Sequence, residues 1–241
     1  MIVTPTQTGW EVIYQPAHAL LATKIAARWR ADQRPERWIE TLIAIAQHDD
    51  EARDWTGRDH LTESGAPLDF MLSAPSLVQP REVTQNSEYK GQWAAMLISM
   101  HMVFLYDHLR DESPEFDAFL DEQEECQQYW RSAMGITRGE AEAAYSLFQW
   151  CDRMSLILCR RELPEDGRAL EVSTGPDGTR YDVVCQDDMV TVRPWPFEDS
   201  AFTIAVEAIH LSQLRFEDDA QLQAALRDTP VTELFWSFRE T

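Results

Sequence analysis

The chain is short of positive charge. Across 241 residues, 21 lysines and arginines face 42 aspartates and glutamates, for a net charge of −21 and a pI near 4.5. A field of that sign repels phosphate backbones and anionic headgroups, which argues against nucleic acid and membrane surfaces as partners. No uninterrupted apolar run approaches the ~18 residues of a membrane span. The opening Met1-Ile-Val-Thr-Pro lacks the basic stretch and long apolar run of a secretory signal. A soluble, cytoplasmic protein is expected. Cysteine is also scarce: residues 126, 151, 159 and 185 form neither a C-x-x-C pair nor a dense framework, which fits reduced thiols better than disulfides. Cys151 and Cys159 lie in an apolar helical stretch and read as small core residues rather than nucleophiles. Internal repeats and low-complexity tracts are lacking, which excludes a solenoid. What the chain does have is apolar bulk, 44% hydrophobic with 9 Trp and 10 Phe, enough to offset the entropy of ordering a core. The length suits a single domain over residues 1–241.

Along the chain, Trp10-Glu11-Val12-Ile13-Tyr14 reads as a short strand within residues 9–15, closed by Pro16. A helix is expected from about 17 to 30, then a second carrying Trp38, Leu42 and Ile45 and running into His48-Asp49-Asp50. A polar stretch of about thirty residues follows, longer than ordinary connectors and therefore a candidate functional loop. The segment from about 91 to 110 is apolar nearly all round, as a central buried helix should be. An acidic helix is expected over Asp111 to Glu125, and a long one from about 138 to 161 with Tyr145, Phe148, Asp152, Ser155 and Cys159 on one face. After it the period changes to about 2. Strands are expected around Glu171–Thr174, Tyr181–Cys185, Met189–Val192 and Phe202–Val206, with turns at Pro176-Asp177-Gly178 and Asp187-Asp188. Residues 216–228 offer one more helix before the tail. The expectation is a mainly α protein with a helical core over about 17–163. On it packs a small antiparallel sheet from about 168–211, joined by the strand at 9–15.

The chemistry centres on histidines and one aspartate. His101 shares a helix face with Leu97, Phe104 and Leu105, so burying it requires partners for two ring nitrogens. Asp152 lies on the core stripe with Tyr145, Phe148 and Leu156, and an unpaired buried carboxylate costs several kcal/mol. A divalent metal ion supplies the missing partner, since imidazole nitrogens and carboxylate oxygens form the mixed ligand set of Zn, Mn, Fe and similar ions. Neighbouring His48 and Asp49 project about 100° apart and can approach one ion over their shared edge. His108 stands seven residues from His101, ~10 Å along a helix, and is set aside. The alternative is a metal-free network of His–Asp hydrogen bonds that stabilises the helices.

The order of these residues, His18, then His48-Asp49, then Asp152, resembles the metal site of the HD-domain phosphohydrolase superfamily. The separations are 30 and 103 residues. The resemblance implies an HD-domain-like helical bundle, with His101 matching one of the intermediate histidines of two-metal members. More closely, the chain resembles an uncharacterised bacterial family known as DUF3891. The matching stretches are Gln15-Pro16-Ala17-His18-Ala19, Gln47-His48-Asp49-Asp50, Ser99-Met100-His101, Asp152-Arg153-Met154-Ser155-Leu156 and Pro194-Trp195-Pro196-Phe197. It departs from the family pattern after the doublet. Where a Gly-Trp pair is expected, Glu51-Ala52-Arg53-Asp54-Trp55 stands, with Trp55 left to cover the site.

The resulting expectation is a metal-dependent hydrolase acting on a small anionic phosphate ester or nucleotide. His18, His48, Asp49, His101 and Asp152 would hold one or two divalent ions (Mn, Fe, Zn or Mg), with Asp49 and His101 closest to the chemistry. Asp50 either orients a ligating imidazole or caps its helix. Lys24 and Arg28 either steer phosphate or form the wet face of their helix. Asp54 to Phe70, with His60 as a proton carrier, either folds over the site or lies in solvent. Pro194-Trp195-Pro196-Phe197 reads as a rigid aromatic corner between sheet and helices. A di-iron oxygenase and a non-catalytic binding module are the competing functional classes.

Overall fold

The computed structural model describes residues 1–50 and 59–241. Its elements, in order, begin with β1 (Ile2–Pro5), β2 (Trp10–Ile13), α1 (Gln15–Ala26), α2 (Trp38–Gln47), α3 (Val78–Glu88) and α4 (Gln92–Tyr106). They continue with α5 (Pro114–Met134), α6 (Arg138–Cys159), β3 (Ala169–Thr174), β4 (Arg180–Gln186) and β5 (Met189–Arg193). The chain closes with β6 (Ala201–Leu211), α7 (Asp219–Asp228) and β7 (Val231–Arg239).

Local chemistry sets the boundaries. Pro16 sits in the first turn of α1, where its missing N–H has no helical partner to lose. Ser113 caps α5 from its side chain, and Gly135 ends that helix in the left-handed conformation at φ 68°. Thr137 and Glu140 form a reciprocal capping box at the start of α6. Asp187 and Asp188 both take positive φ, 52° and 59°, which closes the β4–β5 hairpin with the twist that a two-residue loop needs.

The strands form one seven-stranded sheet in the order β1-β2-β6-β7-β5-β4-β3, and every neighbouring pair is antiparallel except β5 with β7. This overturns the expected fold class. The protein is not a mainly α, HD-domain-like bundle with a small antiparallel sheet. It is an α/β fold with a large mixed sheet beside seven α-helices among the described residues. Three strands account for the difference. β1 is only four residues long and ends at Pro5, so it offers too little pattern to read. β6 runs for 11 residues, well beyond the five expected. β7 lies where a tail was expected, yet it is an interior strand, pairing with β6 along nine residues and with β5 on its other side. α3 also lies outside the expected elements, and α5 continues nine residues past Glu125.

One core joins the two layers. Leu21 and Ile25 of α1, Met96 and Leu97 of α4, and Phe148, Trp150 and Met154 of α6 share a buried cluster with Val183, Val192, Ile204 and Phe238 of the sheet. At its end, Phe197 meets Trp29, Trp150 and Phe238 at ring-centroid distances of 6.0, 6.0 and 5.9 Å, so the Pro194–Phe197 corner does pack sheet against helices. A second tie joins Arg161, just past α6, to Glu11 of β2 through two hydrogen bonds of 3.1 and 2.6 Å.

Candidate metal centre

Five side chains from four helical elements converge. His18 comes from α1, His101 from the middle of α4, and Asp152 from α6, while His48 and Asp49 directly follow α2. All five are buried, at 1–9% exposure, although each belongs to a residue type normally found in water. The His18 Nε2 lies 2.6 Å from Asp49 Oδ2, and His48 Nε2 lies 3.2 Å from Asp152 Oδ1 and 3.5 Å from Asp49 Oδ2. His101 sets its ring edge-on to His48, at a centroid distance of 4.9 Å, and stacks on Phe148 at 4.7 Å. Two overlapping sets follow, His18-His48-Asp49 and His48-His101-Asp152, each with ligand atoms within 4.8 Å of one another.

An outer hydrogen bond fixes the His48 tautomer. His48 Nδ1 donates to the Ile45 carbonyl at 2.7 Å, so that ring carries a proton on Nδ1 and aims Nε2 at the carboxylate oxygens of Asp152 and Asp49. On the His18 side, the Ser155 hydroxyl lies 2.9 Å from Nδ1 and 2.8 Å from the Asp152 carbonyl, and it holds the ring with Nε2 toward Asp49. A His48 Nε2 lone pair facing two carboxylates at 3.2 and 3.5 Å is repulsive unless positive charge lies between them. That charge is either an additional proton or a metal ion, and the donor set, with imidazole nitrogen and carboxylate oxygen in each group, fits Zn, Mn or Fe.

The electrostatics show how the metal-free centre settles. Burial pushes the His48 imidazole down, but the carboxylates of Asp49 and Asp152 outweigh it and raise its pKa to about 9. Burial pushes both carboxyl groups up. His48, with support from His18 and His101, reverses this and holds each below its ordinary value. For His101 burial prevails over the pull of Asp152, and its pKa falls to about 4. The metal-free centre thus keeps two carboxylates ionised around a protonated His48, with His101 neutral. Among the described residues, no lysine or arginine pairs with Asp49 or Asp152.

The other sequence-derived candidates lie elsewhere. Lys24 Nζ donates to the Ala205 carbonyl on β6, and Arg28 pairs with Asp199. Asp50 follows the doublet and closes the turn through its backbone N–H to Gln47. His60 lies in a segment tied down by Leu68 N–H to its carbonyl, by Asp69 to Val3 N–H, and by Phe216 N–H to Gly65. Trp55 and the start of the expected lid fall within 51–58, outside the described residues. Two groups were not assigned a role from sequence. Ser155 shares the Asp152 face at three residues' distance, and Tyr145, seven residues earlier on that face, brings its hydroxyl within 3.4 Å of His101 Nδ1. The signal for both was that shared stripe.

Searches of curated proteins and of solved structures each returned no match to this chain. A family model described as "Protein of unknown function (DUF3891)" matches residues 1–213, a span that holds all five side chains of the centre, and the chain belongs to that family.

Proposed function

We propose that the protein is a metal-dependent hydrolase whose substrate is a small phosphate ester or nucleotide. The observation that carries this reading is the approach of His48 Nε2 to Asp152 Oδ1 at 3.2 Å and Asp49 Oδ2 at 3.5 Å, with its Nδ1 proton already committed to the Ile45 carbonyl. A site built that way is prepared for a cation. The order His18, His48-Asp49, Asp152 supports the phosphohydrolase assignment through its likeness to the HD-type ligand pattern, although the surrounding fold is different.

His18, His48, Asp49 and Asp152 would hold the ion, with His101 completing its shell or serving a second ion beside Asp152. When bound, a divalent ion lowers the pKa of a water and offsets charge on phosphoryl oxygens. Ser155 and the Ile45 carbonyl keep the two imidazoles turned to present Nε2. His101 is neutral because burial disfavours its charge, which leaves a nitrogen lone pair for an ion, and the Tyr145 hydroxyl lies beside its Nδ1. An anionic substrate is compatible with an acidic protein because charge at contact distance dominates the overall field.

A di-iron oxygenase is the second reading. Phe104, Phe148 and Tyr145 surround His101, and no arginine or lysine among the described residues pairs with the carboxylates, features that suit an uncharged substrate. Elemental analysis of the wild type, His48→Ala and Asp152→Ala tests the centre itself, with circular dichroism to follow the fold. Loss of metal from both folded variants is expected, and unchanged metal content rejects the proposal. Phosphate release from nucleotides and phosphodiesters with Mn, Mg, Fe or Zn supports the hydrolase. Stoichiometric iron with oxygen uptake and no phosphate release supports the oxygenase.

A further inference from the structure

A cavity of about 390 Å³ opens at the far end of α2 from His48. It lies between the 34–37 turn, Trp93 at the start of α4, Ile136, Ala143 and the β3–β4 turn. The ten residues of α2 separate it from the metal centre by ~15 Å, so one small ligand cannot occupy both. Its volume is in the range of small-molecule sites, and it combines an apolar wall with a few polar groups, the usual make-up of such sites.

The charges around it are unevenly satisfied. Asp32 accepts from Arg30, Asp177 accepts from Gln33 and the Thr179 N–H, and Glu140 is held in the α6 capping box. By contrast, neither Arg34 nor Arg37 has a carboxylate partner among the described residues, in a chain where acidic residues outnumber basic ones two to one. Arg34 donates Nε to the Trp29 carbonyl and stacks over Trp38 at 5.1 Å, and Arg37 lies over Trp93 at 5.7 Å. A guanidinium held on an indole face still offers a planar fork of N–H donors suited to carboxylate or phosphate.

We propose that this cavity binds a small organic anion, with a flat apolar body against Trp93 and Ile136 and a carboxylate or phosphate head between Arg34 and Arg37. The head group pairs the two guanidinium groups, which the wall's own carboxylates, Asp32, Glu36, Glu140 and Asp177, leave unpaired. This site is independent of the metal centre and of the reaction assigned to it.

Calorimetry on the full chain, stripped of metal with a chelator, tests the proposal with adenosine monophosphate and indole-3-acetate as probes and indole as the uncharged control. At least one anion is expected to bind once per chain at concentrations up to about 5 mM. Binding of the nucleotide alone assigns a phosphate head, and binding of the indole acid alone assigns a carboxylate. Arg37→Gln, at an exposed position, should weaken binding at least tenfold with an unchanged circular dichroism spectrum. Glu36→Gln, which removes an acidic side chain from the cavity wall, should strengthen it. Asp152→Ala should leave it unaltered. Failure of both anions, equal binding by Arg37→Gln, equal binding by indole, or loss of binding in Asp152→Ala overturns the assignment.

Discussion

If a divalent ion replaces the proton on His48, metal affinity must follow the titration of that imidazole. In the metal-free protein His48 has a pKa of about 9. At pH 7, two units lower, about 1% of molecules present a free Nε2, and apparent affinity lies about 100-fold below its plateau, or about 2.7 kcal/mol. His101 adds no competition, because burial leaves it at about 4 and neutral at pH 7. Asp49 and Asp152 add none either, since the histidines hold both carboxyl groups below their ordinary values. The assay is Mn²⁺ competition against a chromophoric chelator from pH 6.5 to 9.5. Calorimetry in two buffers of different ionisation enthalpy counts the protons released. The logarithm of apparent affinity should rise with a slope of at least one through pH 8 and flatten near 9. Affinity independent of pH, or flattening already near the ordinary imidazole value of about 6.5, would refute the reasoning. Either result would mean that the carboxylates at 3.2 and 3.5 Å do not act on His48 as those distances require.

Ser155→Ala should weaken metal binding by about 10- to 100-fold while preserving the fold, measured in the same competition assay, because His18 loses the hydroxyl that holds its ring in place. The pKa of His101 lies below the unfolded value, so the unfolded chain takes up a proton that the folded one refuses. The metal-free protein should lose up to roughly 3 kcal/mol as pH falls from about 6.5 to about 4, read from urea midpoints, and His101→Phe should flatten that window. The contribution of His48 has the opposite sign: it is complete below pH 6.5 and lost as pH rises through about 9. Arg161→Gln should cost about 2 kcal/mol in urea unfolding, because it leaves the Glu11 carboxylate buried without its bidentate partner; the half-exposed guanidinium reduces the usual figure for buried pairs. Phe197→Ala should cost about 3–5 kcal/mol, seen as a lower thermal midpoint, by emptying the junction of Trp29, Trp150 and Phe238.

The helices other than α3 were legible because their period repeats over many residues. α6, at 22 residues, showed its buried stripe, and the polar Asp152 within that stripe drew attention to the centre. The hairpin turns were legible because Asp187-Asp188 and Asp177-Gly178 are local features. The sheet's true extent was not, because strand pairing depends on partners distant in sequence. β7 alternates Leu234, Trp236 and Phe238 toward the core with Phe235 outward. That pattern gains meaning only beside β6, whose Ala201–Ile209 it pairs along its full length.

Misreading the sheet did not keep the five sequence-derived side chains from converging, and the reason lies in where they sit. His18, His101 and Asp152 belong to helices, and His48 and Asp49 directly follow one, so the side chains that must meet are directed by 3.6-residue periodicity and not by strand register. The sheet acts on the centre indirectly. α1 and α6 share the core cluster with β4 and β6, so the His18–Ser155–Asp152 chain across them is held from behind by packing. The contacts of Ser155 and Tyr145 and the sheet behind them required coordinates. The candidate residues did not, because a buried His or Asp on an apolar helix face already poses a charge problem that few partners can solve.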